Sequence, residues 1–172
     1  MVDAGLLEGE PVELVDGLLV HVTPQGAEHA TLVQRLTRHF ASRAELLRVQ
    51  LPLAVPDGRP EPDVALAESP SVREHPRTAT LVVEVAVTSW VDDLAKLPSY
   101  AAAEIGTVWL INVPVRQVHV FERPHERHYD SERVLAAGDT LHTPSTVCRH
   151  YRSTSCSRTS AELKRTSDSL SA

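Results

Sequence analysis

The sequence predicts an α/β fold: a mixed central sheet flanked by helices, with a β-hairpin at the N-terminal end. Three observations predict it. "TATLVVEVAVTS" (78–89) is valine-rich and apolar on both faces, as in a central strand covered on both sides. Two segments of helical periodicity, 27–46 and 90–106, lie among several short apolar runs. Near the start, "PVELVDGLLVHVTP" (11–24) sets apolar residues on either side of Asp16-Gly17, a strong two-residue turn signal.

The hairpin at 11–24 comes first. In "AEHATLVQRLTRHFASRAEL" (27–46), Leu32, Val33, Leu36 and Phe40 recur at helical spacing, and Arg35, Arg38 and Arg43 turn mostly to water. "LLRVQLPLAV" (46–55) reads as a strand ended by the turn Pro56-Asp57-Gly58. Pro60 and Pro62 then impose extended backbone, and residues 63–67 form a short buried strand. A polar loop from Glu68 to Thr78 leads into the central strand. "WVDDLAKLPSYAAAEIG" (90–106) reads as a helix with a stripe of Leu94, Leu97 and Ala101, stopped by Gly106. Pro98 obscures where that helix begins, because proline suits only a first turn. "TVWLINV" (107–113) and "QVHVFERP" (117–124) are two further strands, and 128–141 adds an edge strand.

The composition changes at Ser145. Residues 145–172 hold 12 Ser or Thr and five Lys or Arg against Glu162 and Asp168, with little apolar periodicity. We expect one folded unit over 1–144 and a disordered tail over 145–172, since the tail has too little apolar surface to offset its ordering entropy.

With a formal net charge of −6, no overall basic field recruits nucleic acid, so any such site must be local or metal-assisted. Cys148 and Cys156 form neither a disulfide framework nor a zinc spacing. The N-terminus lacks signal-peptide character, and no apolar run approaches about 18 residues. These features lead us to expect a cytoplasmic protein without membrane attachment. Of 17 basic side chains only Lys96 and Lys164 are lysines.

The chemistry lies in "GRPEPDVALAE" (58–68), where Asp63 stands at the mouth of a short apolar strand, and in the central strand, where Glu84 interrupts a valine run. Desolvating either carboxylate is costly without a positive partner. If 63–67 and 80–87 are antiparallel neighbours, the start of one lies beside the end of the other and the two carboxylates reach one point. Such a pair must share a proton or bind a cation, and oxygen ligands suit Mg²⁺ or Mn²⁺. Positions 84 and 86 face the same way. Ala86 therefore leaves room beside Glu84 for Lys96.

This order of residues resembles the PD-(D/E)XK nuclease core, and more closely the Uma-type endonucleases of that superfamily. The matching segments are "ELVDG" (13–17), "EPDVAL" (61–66), "LVVEVAVTS" (81–89), "DDLAKLPSY" (92–100), "VWLINV" (108–113) and "VHVFER" (118–123). The resemblance spans 12 to about 141. It implies a restriction-endonuclease-like fold and hydrolysis of phosphodiester bonds in DNA. It further implies a metal held by Asp63, Glu84 and the Val85 carbonyl, with Lys96 orienting or helping to deprotonate the attacking water. Glu13 and His29 match family positions at the edge of the site. The short lead-in to the hairpin and the Ser/Thr/Arg-rich end depart from the family pattern. Nuclease folds often work as homodimers, although no interface signature stands out here.

The competing reading is a catalytically silent module of the same fold that binds nucleic acid or a protein partner. Among other features, Lys96 could simply pair with Asp92 on an exposed helix face. His125 and His128 in "HERH" lack further ligands at suitable spacing and read as exposed loop histidines. Trp90 and Trp109 read as core or boundary aromatics.

Overall fold

A computed structural model describes residues 12–15, 17–21, 26–68 and 71–144. The hairpin pairs β1 (Val12–Val15) with β2 (Leu18–His21) in antiparallel register, Val15 opposite Leu18. Gly17 takes φ +73°, a value that glycine adopts without strain. Its N–H donates to the Asp57 carbonyl at 2.9 Å, tying the hairpin to the turn after β3.

Helix α1 (Ala27–His39) is followed by a 3-10 turn, Ala41–Arg43. A six-stranded sheet runs in the order β3 (Leu47–Val49), β4 (Val64–Leu66), β5 (Leu81–Ala86), β6 (Thr107–Asn112), β7 (Gln117–His125) and β8 (His128–Ala136). Only β5 and β6 are parallel, and helix α2 (Trp90–Ala102) makes the crossover that parallel neighbours require.

All six residues of β5 are buried, as expected of a central strand. Its odd positions, Leu81, Val83 and Val85, pack with Val33 and Phe40 on the α1 side. Val82 and Ala86 pack with Tyr100, Ile105 and Leu110 on the α2 side. Period-two alternation therefore puts Glu84 on the α2 face, within the sheet's buried interior.

Several boundaries differ from expectation. The strand expected over 46–55 ends at Val49, where Gln50 turns to φ +51° and its N–H meets the carbonyls of Pro62 and Asp63 at 3.2 Å. Pro52 and Pro56 then deny the segment further ladder donors. The strand expected over 128–141 closes at Ala136, where the Asp139 carboxylate accepts the Ala136 N–H at 2.8 Å. Pro98 lies well inside α2, eight residues after its start, instead of in a first turn. Burial of Lys96, Ser99, Tyr100 and Ala101 holds the helix on the sheet across the proline. Tertiary packing here outweighs the lost N–H. The tail over 145–172 lies outside the described residues.

Candidate functional site

The site forms where β4 begins and β5 nears its end. The β4–β5 ladder pairs Val64 with Val83, so the next position outward sets Asp63 against Glu84. Backbone pairing stops there and side chains take over. The Asp63 N–H donates to Glu84 Oε2 at 3.3 Å, while Asp63 Oδ2 accepts the Val85 N–H at 2.8 Å. A carboxylate thus occupies the place a strand carbonyl would hold. The prolines at 60 and 62 explain the handover, because they supply no N–H for continued pairing.

His29 reaches the same carboxylate from the first turns of α1. Its Nε2 lies 2.9 Å from Asp63 Oδ2, and both side chains are buried. Nδ1, on the other side of the ring, is buried with no hydrogen-bond partner among the described residues.

Helix α2 supplies the remaining groups. Lys96 Nζ lies 3.3 Å from Glu84 Oε1 and 3.2 Å from Asp93 Oδ1. The pairing with Asp92 on an exposed face is not what forms: Asp92 is exposed, whereas Lys96 is only 8% exposed and turned to the sheet. The Tyr100 hydroxyl donates to Glu84 Oε1 at 2.5 Å, and the Ser89 hydroxyl donates to Asp93 Oδ2 at 2.6 Å.

Glu84 is 2% exposed, and burial pushes its carboxyl from 4.5 up to about 8. The Lys96 ammonium opposes that rise, the charges of Asp93 and Asp63 add to it, and the Tyr100 hydrogen bond opposes it weakly. Among the described residues, three buried carboxyl groups, Asp63, Glu84 and Asp93, face one ammonium and one imidazole here. Oxygen-rich donors of this kind suit a hard divalent cation.

The structure brings together Asp63, Glu84, Lys96 and His29. Glu13 lies in β1 opposite Val20, and its side chain lies outside the described residues. Sequence reasoning missed Asp93 and Tyr100. Their signal was present: positions 93, 96 and 100 share one helical face, so a polar line ran beside the stripe of Leu94, Leu97 and Ala101.

Comparison with known proteins agrees with this architecture. Residues 6–149 match the family described as "Uma2: Putative restriction endonuclease". A crystal structure described as that of a putative nuclease from Anabaena variabilis ATCC 29413 superposes with a TM-score of 0.61 at 17% identity. The match covers 85% of this chain and 89% of that one, and at this identity it speaks for the fold alone. No curated protein matches. No helix among the described residues is long and apolar enough to cross a membrane.

Proposed function

The chain belongs to the Uma2 family, and from that premise we propose that it is an endonuclease that hydrolyses phosphodiester bonds in DNA with Mg²⁺ or Mn²⁺. One observation carries the reading: two buried carboxyl groups, Asp63 and Glu84, meet at adjoining strand ends with Lys96 Nζ 3.3 Å from Glu84. The residues fit a divalent cation, because burial holds the Glu84 carboxyl at about 8 and an added positive charge favours its ionised form. Asp63, Glu84 and the Val85 carbonyl would hold it. When bound, the cation polarises water and offsets charge gathering on the phosphoryl oxygens.

The protein's own groups have separable tasks. The Val85 N–H and His29 fix the Asp63 carboxylate from two directions, so its orientation is set before substrate arrives. Tyr100 does the same for Glu84. Lys96 sits between Glu84 and Asp93, an arrangement that suits a positioned cation orienting the attacking water and opposing negative charge. Lysine fits this role better than arginine because its ammonium is compact. Asp93, held by Ser89, sets where that ammonium lies.

The test combines calorimetric titration of Mn²⁺ with cleavage of plasmid DNA, for the wild type and for Asp63→Ala, Glu84→Ala and Lys96→Ala, after circular dichroism has established that each folds. We expect metal binding to be lost in the two carboxylate variants and cleavage to be lost in all three. Cleavage that survives chelation, or that Lys96→Ala leaves unchanged, overturns the reading. DNA binding with no cleavage in Mn²⁺ supports the silent binding module instead.

A further inference from the structure

The tip of the β7–β8 hairpin carries a second constellation, far in sequence from Asp63 and Glu84. His125 pairs with His128 across a two-residue loop, Glu126-Arg127, with Glu126 at φ +53°. Arg123, two residues before His125, also takes a left-handed conformation, φ +61°. Its effect is visible in the side chains. The ladder pairs Phe121 with Glu132 and Tyr129 with Pro124, so strict alternation would put Phe121 and Tyr129 on opposite faces. Their rings instead lie 6.1 Å apart, and the Tyr129 hydroxyl donates to the Ile105 carbonyl at 2.9 Å. With Tyr129 turned inward, its neighbours His128 and Asp130 turn outward, and both are exposed, as is His125.

We propose that His125, His128 and Asp130 form a metal site on this exposed hairpin tip, taking Zn²⁺ or a transition-metal dication of similar preference. Among the described residues, one ligand atom from each of the three lies within 4.8 Å of the others. His128 Nε2 is 3.1 Å from Asp130 Oδ1, and His125 Nδ1 is 3.9 Å from it. Donors around a tetrahedral zinc stand roughly 3.3 Å apart, given Zn–N bonds of about 2.0 Å. Small rotations of exposed side chains close the set. Two imidazoles with one carboxylate suit zinc and its neighbours, unlike the oxygen-rich set at Asp63 and Glu84.

The backbone beneath the ligands is already anchored. Arg127, in the loop itself, pairs with Asp57 on the turn that also holds the N-terminal hairpin. The Arg123 guanidinium donates to the Asp130 carbonyl at 3.3 Å. A metal arriving here orders three side chains on a fixed frame, which limits the entropy cost of binding. The sequence spacing of "HERH" concealed the site, because the third ligand follows two residues later on the return strand and joins only through the kink at Arg123.

The test is calorimetric titration of Zn²⁺ into the full chain in excess Mg²⁺, which occupies any oxygen-donor site. Wild type is compared with His125→Ala, His128→Ala and Asp130→Asn, all at exposed positions, with circular dichroism to verify folding. We expect each histidine variant to bind one equivalent fewer than wild type, or that equivalent about tenfold or more weakly. Equal stoichiometry and affinity in wild type and His128→Ala, or no Zn²⁺ binding by wild type, overturns the proposal. Neither result bears on nuclease activity, so the two readings fail independently.

Discussion

Replacing Glu84 with Gln gives the most direct test of how this interior is charged. Burial raises the Glu84 carboxyl from 4.5 to about 8 in the folded protein. Between those values the folded state holds a proton that the unfolded chain has released. Stability contributed by this group is therefore highest at pH below 4.5, falls as pH rises through the window, and levels off above about 8. Each pH unit in the window is worth about 1.4 kcal/mol, so the whole span is on the order of 3–5 kcal/mol. Glutamine cannot titrate. It offers the same shape, and its carbonyl can still accept the Tyr100 hydroxyl, although its amide group meets the Asp63 N–H less well. The assay is urea denaturation of both proteins in chelator from pH 5 to 9, plotted as wild type minus variant so that the histidines cancel. We expect the difference to fall by about 3–5 kcal/mol across the series. Mn²⁺ should flatten the wild-type profile and leave the variant unchanged. Parallel profiles without metal would refute the argument that Glu84 is a desolvated acid.

Two further substitutions probe the same centre. Tyr100→Phe removes the donor to Glu84 Oε1, which should cost about 1–3 kcal/mol and extend the pH window of the previous experiment upward, since that hydrogen bond holds the carboxyl down. Denaturation curves at pH 6 and 9 read both effects. Lys96→Met leaves Glu84 and Asp93 buried without their ammonium. Destabilisation of about 3–5 kcal/mol at pH 9 is expected, shrinking toward pH 5 as the Glu84 proton returns. An equal loss at both pH values would mean that packing of the lysine stem, and not charge, is what the substitution removes.

Much of this centre was legible because one residue violated its surroundings. An acid inside "LVVEVAV" cannot be reconciled with a doubly covered strand, so Glu84 announced itself. Asp63 followed from strand direction: antiparallel neighbours bring a strand's start to its partner's end. Lys96 followed from the small side chain at Ala86. Asp93 and Tyr100 were harder, since neither offends any pattern alone and only the helix gathers them. The end of β3 was hidden for another reason. "LLRVQLPLAV" has strand composition throughout, and what stops it is the left-handed turn at Gln50, whose donor is captured by the Pro62 and Asp63 carbonyls. Asp130 went unseen because linear spacing says little about residues that meet across a hairpin.

The Val85 N–H, bonded to a side-chain carboxylate where a strand would ordinarily offer a carbonyl, also acts as a reporter. Its proton resonance senses the charge on Asp63 directly, while its solvent exchange measures how firmly that carboxylate is held. Neighbouring amides of β5 and β6 answer to backbone acceptors and supply an internal reference. On the proposed reading, one amide of an isotope-labelled sample therefore reports cation binding beside Asp63 without substrate, dye or substitution.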